Sequence, residues 1–342
     1  MGFHRSCILL LGCAFFMGYC NANNLSAPRV AVFHGKDFHE PFDLSAVARV
    51  GNYIVVGSDE GHVIQLLKRK NSDTFVLERK YSVPDGEETN RKEKKGPELD
   101  IEGIAADRKT VYIVGSHSRK RSKVEVRNSK RRSHDKNRKR LTETEEEKAR
   151  RVLIKLKLDE NGELEGDIEL KDLWGVINQF SELEQFTKIP GKENGIDIEG
   201  IAAKGKELYI GFRGPVLREN WVPVMVTEFD DPTEKAELRF VNLGGLGIRD
   251  IVSVNEKFLL IAGPVGDGPG GYHLYSWNGL DCVPGKNGAK GKVQYLGQIP
   301  TGSDAKAEGI TVLSDNEEQL LQLLVVFDGP QRGTPVMFNL RQ

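Results

Sequence analysis

The 342-residue sequence predicts an all-β fold, a five-bladed β-propeller of four-stranded antiparallel blades. Three observations predict it. The hexapeptide Asp-Ile-Glu-Gly-Ile-Ala occurs twice, at Asp100–Ala105 and Asp197–Ala202, and weaker copies align at Asp43–Ala48, Gly247–Val252 and Lys306–Thr311. Each copy is followed, after a short polar turn, by an apolar β-rich run. In most units two further short runs separated by Gly, Asn and Asp precede the next copy, which is one blade per repeat.

Read from the N-terminus, the chain first offers a leader. Arg5 precedes an apolar stretch from Cys7 to Gly18, and Cys20-Asn21-Ala22 places small residues where a signal peptidase reads, so cleavage is expected after Ala22. A lipoprotein box ending at Cys13 is the competing reading, with a short apolar run before it. The stretch is too short for the roughly 20 residues that cross a bilayer. Three of the four cysteines lie in this leader, so the mature chain keeps Cys282 alone and forms no intramolecular disulfide. A propeller has core enough to do without one.

Residues 23–342 then form one propeller domain, expected as an exported, periplasmic or extracellular monomer. The hexapeptide copies are the first strands of the blades. Second strands follow at Tyr53–Gly57, Val111–Gly115, Leu208–Gly211, Phe258–Gly263 and Leu320–Phe327. Third and fourth strands are read at His62–Leu67 with Phe75–Arg79, Val152–Leu158 with Leu164–Leu170, and Tyr272–Trp277 with Val293–Leu296. The last unit supplies a third strand at Val336–Leu340 and then ends. Its fourth is available at the other terminus, in Val30–Phe33, and that closure removes an open sheet edge.

Two insertions interrupt the rhythm. Arg119–Arg140 holds twelve Lys or Arg against two acids, and Glu143, Glu145, Glu146 and Glu147 follow. Residues 119–150 read as a solvated loop without fixed structure, or as a tether to an anionic surface polymer through 119–140; the run lacks aromatic residues for stacking on bases, so no specific nucleic acid is implied. Asp172–Phe186 reads as a short amphipathic helix over its blade, with Asp172 as N-cap and Leu173, Trp174, Ile177 and Phe180 as its apolar positions. Overall composition, 38% hydrophobic and 29% charged with net charge −1, gives no global steering toward nucleic acid or membrane.

In a propeller the first strands line the axis, and the loops entering them share a face with the loops joining strands two and three. The alignment therefore puts Ser45, Glu102, Glu199, Arg249 and Glu308 at equivalent positions around the axis, with Asp100 and Asp197 two residues earlier. Asp59, His117, Arg213, Asp267 and Asp328 face them from the opposing loops. Carboxylates roughly 6 Å apart repel by about 3 kcal/mol at an effective dielectric of 20, so Glu102, Glu199 and Glu308 need compensation. A divalent cation such as Ca²⁺ bound by these three is one answer; neutralisation by Arg249 is the other. Gly103, Gly200 and Gly309 follow the glutamates and let backbones approach near the axis. His117 and Arg213 are the candidate general base and anion clamp.

The Asp-Ile-Glu-Gly-Ile-Ala element, the Tyr-Ile-Gly segments behind it, the Phe212-Arg213-Gly214-Pro215 rim and Ala307-Glu308-Gly309-Ile310 resemble a bacterial family of unknown function, number 3616, over Asp43–Leu340. The resemblance implies a propeller and brings no activity. A more distant similarity of the Glu-Gly-Ile element links the chain to phytase-like and esterase-like propellers, some of which bind calcium. Arg249 and Ser45 break that pattern. Two functions follow as expectations: a module binding an unidentified ligand in the funnel through Asp100, Glu102, Asp197, Glu199, Arg213, Arg249, Glu308 and Asp328, or a metal-assisted hydrolase of phosphate or carboxylic esters. No nucleophile and base stand at a recognisable spacing, which favours the first.

Overall fold

The computed structural model describes residues 24–84, 98–126, 133–268, 270–286, 288, 290–302, 305–316, 320–329 and 334–341. The leader read over residues 1–22 lies outside them. The chain opens with β1 (Arg29–Val30) and β2 (Val32–His34). Blade 1 is β3 (Leu44–Val50), β4 (Tyr53–Ser58), β5 (Val63–Arg69) and β6 (Thr74–Ser82). Blade 2 begins with β7 (Ile101–Asp107) and β8 (Thr110–Gly115). The insertion contributes β9 (Arg119–Lys120), α1 (His134–Arg140) and β10 (Glu145–Glu146), and blade 2 resumes with β11 (Leu153–Lys157) and β12 (Glu169–Lys171). After α2 (Trp174–Asn178) and α3 (Ser181–Glu184) comes blade 3: β13 (Asp197–Lys204), β14 (Glu207–Gly214), β15 (Trp221–Glu228) and β16 (Glu237–Asn242). Blade 4 is β17 (Gly247–Val254), β18 (Lys257–Gly263), β19 (Tyr272–Trp277) and β20 (Val293–Ile299). Blade 5 is β21 (Lys306–Asn316), β22 (Leu320–Asp328), β23 (Val336–Arg341) and, from the other end of the chain, β1.

The five inner strands pack side by side in the order β3, β7, β13, β17, β21 and back to β3, which closes the ring. Each blade is sandwiched between two others, so an inner strand is covered on both faces. That is why β3 and β13 are buried at almost every position, whereas the outer β6 is mostly half-exposed. Five apolar clusters fill the five wedges between blades. Val55, Leu66, Ile101 and Ile154 join blades 1 and 2; Val114, Leu153, Ile198 and Phe212 join 2 and 3; Val224, Ile248, Phe258 and Trp277 join 3 and 4. Ile261, Leu274, Ile310 and Leu323 join 4 and 5, and Val47, Val56, Leu324 and Met337 join 5 and 1.

Closure uses two strands where the sequence suggests one. Arg29 and Val30 pair antiparallel with Met337 and Val336, completing blade 5 as expected. At Ala31 the chain crosses over, and Val32–His34 adds a parallel fifth strand to the outer edge of blade 1 at Thr74–Val76. One short segment thus fastens both sides of the seam, and Phe33 is buried against Phe75 at 5.7 Å between ring centres.

The segment from Asp172 folds as two short helices, α2 and α3, rather than one. Asp172 Oδ1 accepts the Trp174 amide at 2.6 Å, and Val176, Ile177 and Leu183 enter the wedge between blades 2 and 3. Over its described residues the basic insertion carries a two-stranded ladder of β9 with β10, in which Arg119 and Lys120 lie opposite Glu146 and Glu145. Residues 127–132 lie outside the described residues. Among the described residues no helix is long and apolar enough to cross a membrane.

Candidate functional site

One feature of the ladders sets the site. In every blade the pairing of the inner strand with its neighbour slips at the same place: between Leu44 and Ala46, Ile101 and Gly103, Ile198 and Gly200, Ile248 and Asp250, Ala307 and Gly309. The residue left over in each β-bulge is Ser45, Glu102, Glu199, Arg249 or Glu308. A bulge re-aims the side chain of its extra residue. Four charged side chains thereby converge near the axis with carboxylate oxygens of Glu102, Glu199 and Glu308 within 4.8 Å of one another.

The glycines after the glutamates bring the inner strands close. A Cβ on Gly200 would stand 2.8 Å from Asp250 Cα and 2.9 Å from the Ile251 nitrogen, nearer than real Cβ atoms approach. In blade 4 the equivalent position is Asp250, whose carboxylate accepts the Ile251 amide at 2.8 Å and reaches blade 5 to accept the Ile310 amide at 2.7 Å. This acid ties two inner strands together.

Above the bulges a cavity of about 610 Å³ opens on the face that carries the strand-two to strand-three loops. Asp59, Asp100, Glu102, Asp197, Glu199, Glu308 and Asp328 line its depth, and residues 118–124 of the insertion with 190–193 line its mouth. At the other end of the axis a smaller cavity of about 300 Å³ is lined by Val47, Ile104, Ile201 and Ile251 together with Arg49, Arg108 and Thr311, and by no carboxylate among the described residues. The carboxylates gather at one end alone.

Most of these acids hold a cation. Arg249, 2% exposed, lies behind the ring and donates to Glu199 Oε2 at 2.6 Å and pairs with Glu308 Oε1 at 3.0 Å. Its Nη2 also reaches the Tyr272 hydroxyl at 3.3 Å. Arg213 pairs with Glu199 Oε1 at 2.6 Å and donates from Nε to Asp197 Oδ2 at 3.0 Å. Arg150 donates to Asp100 Oδ2 at 2.8 Å, and Lys306 pairs with Asp328. Glu102, 8% exposed, has no ion pair or hydrogen bond to its carboxylate among the described residues. Asp59 Oδ1 is buried and likewise without a partner.

The electrostatics follow from that inventory. Burial, then Glu199, Asp100, Glu308 and Asp59, hold the Glu102 carboxyl well above the usual carboxylate range. Burial and the surrounding acids, Glu308 first, push Asp59 up to about 8. Glu308 is raised by burial to about 7 although Arg249 opposes the shift, and Asp197 to about 6 although Arg213 does.

Of the residues singled out in the sequence, Asp100, Glu102, Asp197, Glu199, Arg213, Glu308 and Asp328 are brought together around the cavity, with Arg249 directly behind. His117 is not. Its backbone turns through a left-handed φ of 54°, and the ring tucks inward, 1% exposed. Nδ1 donates to the Gly115 carbonyl at 2.8 Å and Nε2 accepts the Leu173 amide at 3.3 Å. Burial lowers its pKa to about 4, so a neutral imidazole pins the segment before α2 to blade 2. Arg213, read as an anion clamp, spends its guanidinium on Asp197 and Glu199. Arg150 and Asp250 were not singled out. Arg150 sits at the end of a charge-rich run with no pattern to mark it, whereas Asp250 stands where three other repeats carry glycine, a legible signal.

Five bulged inner strands around an acidic funnel define a β-propeller with an acidic axial site. Within that class, the family described as Protein of unknown function (DUF3616) matches residues 43–335, and the chain belongs to that family. No curated protein matches the sequence. Among solved structures, the chain is similar to the α-L-arabinofuranosidase PaAbf62A from Podospora anserina in complex with cellotriose, at TM-score 0.45 and 10% identity, covering 92% of this chain and 95% of that one. It is also similar to a DUF4623 family protein from Bacteroides eggerthii, at TM-score 0.39 and 9% identity, covering 92% and 75%.

Proposed function

We propose that this chain is an exported propeller that binds a ligand in its axial funnel without turning it over. The observation that carries the reading is the 610 Å³ cavity whose depth is lined by charged side chains held in place by ion pairs. Such a wall is preorganised, so a ligand meets groups that need little reordering. Export rests on the leader at residues 1–22. The insertion serves the mouth of the funnel in this reading: Arg119, Lys120, Arg121 and Arg140 hold Glu146, Glu147, Glu193 and Glu125.

The test is a thermal-shift panel sorted by charge, run on the mature protein and on Ser122→Trp, which fills the mouth. One charge class is expected to raise the melting temperature of the parent and not of Ser122→Trp. Equal shifts in both proteins, or none in either, would overturn the reading.

The hydrolase alternative has one observation in its favour, the 4.8 Å grouping of Glu102, Glu199 and Glu308. The donors do not suit a dication. Both oxygens of Glu199 and one of Glu308 are occupied by guanidinium groups, whereas Ca²⁺ takes six to eight oxygens.

A further inference from the structure

We propose that the ligand is an organic cation whose ammonium or guanidinium group seats against Glu102; the proposal rests on the funnel being a binding pocket. Glu199, Glu308, Asp197, Asp100 and Asp328 each have a basic partner supplied by the chain. Among the described residues Glu102 has none within ion-pair distance, although it is 8% exposed and lines the cavity; Arg213 acts on it only through its field. Burial without a partner keeps the Glu102 carboxyl protonated, and a cation brought from outside displaces that proton and stabilises the charged form. Asp59 lines the same cavity wall and is a second carboxyl without an ion pair among the described residues, its Oδ1 lying buried behind the surface.

Three basic residues at the mouth are engaged there. Arg121 is bound to Glu193 through Nε and Nη2, Lys120 to Glu147, and Lys192 to Asp267 at 3.1 Å. They ring the entrance while their charges are met by acids of the mouth itself. Among the described residues the depth of the cavity holds more carboxyls than cations.

Two observations select an organic cation over a metal ion. The ring already holds one: Arg249 bridges Glu199 and Glu308 with N–H groups at 2.6 and 3.0 Å, so these carboxylates are spaced for nitrogen donors. The cavity, about 610 Å³, lies within the roughly 300–1,000 Å³ of organic-ligand pockets and far exceeds one ion. An ammonium has three donors, enough to meet Glu102 and a neighbouring carboxyl of the ring.

Isothermal titration of the mature protein at low salt tests this with five probes: 1,4-diaminobutane, spermidine, a Gly-Lys-Gly amide, CaCl₂ and inorganic phosphate. The amine probes are expected to bind, and Glu102→Gln to weaken them tenfold or more. Asp59→Asn, at a less buried position, is expected to weaken them about threefold and serves should Glu102→Gln fail to fold. Preference for the peptide over the diamines assigns the source to a basic polypeptide, and the reverse to a free polyamine. Binding of Ca²⁺ without the amines, or amine affinity unchanged in both variants, overturns the proposal. Phosphate binding that Ser122→Trp abolishes, with the amines silent, overturns the cation and leaves the funnel a pocket. Silence of all five probes overturns the cation as well, and the charge-sorted panel then decides the pocket separately.

Discussion

Replacing Arg249 by Met removes the cation that two ring glutamates share, and the structure sets the size of the effect. Carboxylates within 4.8 Å repel by about 3.5 kcal/mol at an effective dielectric of 20. Breaking a buried ion pair by removing one partner costs about 3–5 kcal/mol. Glu199 keeps Arg213 at 2.6 Å, so the loss falls at the lower end, about 3 kcal/mol at pH 7.5. Glu308 loses its nearest guanidinium, and its carboxyl, already pushed up to about 7, rises further. A carboxyl with a folded pKa above its unfolded value binds a proton the unfolded chain does not, so its penalty grows as pH rises through that window. The deficit of Arg249→Met should therefore shrink to about 1 kcal/mol at pH 5. Urea unfolding followed by tryptophan fluorescence at the two pH values measures it, with Trp277 buried beside Phe258 as reporter. Adding Glu308→Gln to Arg249→Met should restore about half of the loss at pH 7.5 by removing one repelling charge. A variant as stable as the parent at pH 7.5, or a deficit independent of pH, would refute the electrostatic reasoning.

Three further outcomes are expected. Gly200→Ala places a methyl 2.8 Å from Asp250 Cα and should cost about 1–3 kcal/mol in urea unfolding; a neutral substitution would show that the inner strands have slack. Asp250→Ala strands the Ile251 and Ile310 amides and should cost about 2–4 kcal/mol, with hydrogen exchange rising first at Ile310. In the unmodified protein Asp59, raised to about 8, and Glu308, raised to about 7, bind protons in the folded state that the unfolded chain has lost. Stability should then fall by at least about 1 kcal/mol from pH 5 to pH 8, and a midpoint that rises with pH over this range would contradict the assignment.

The sequence carries the propeller because blade geometry leaves repeated marks: a glutamate-glycine pair where inner strands converge, and an apolar run after it. Those marks place Glu102, Glu199 and Glu308 at one level and single out Arg249 as the residue that breaks the series. The bulge that unites the five positions leaves no mark of its own, since one extra residue against a partner strand is a property of the pairing. Val30–Phe33 is legible as the closing strand, but the crossover at Ala31 depends on an open edge of blade 1 that only the assembled ring presents. His117 falls at a rim position in the alignment and is withdrawn by its own left-handed backbone. Arg213 and Arg150 are rim cations by position and inward partners by geometry, because buried Asp197 and Asp100 compete for them more strongly than solvent does.

The central claim is that Glu102, a buried carboxyl without an ion pair among the described residues, exchanges its proton for a cation from outside. A crystal structure of the mature protein with 1,4-diaminobutane tests it most directly. The account predicts an ammonium nitrogen about 2.7–2.9 Å from a Glu102 oxygen, with Arg249 still bridging Glu199 and Glu308. Arg249 turned onto Glu102, or a metal ion held by the three glutamates at about 2.3–2.6 Å, would contradict it.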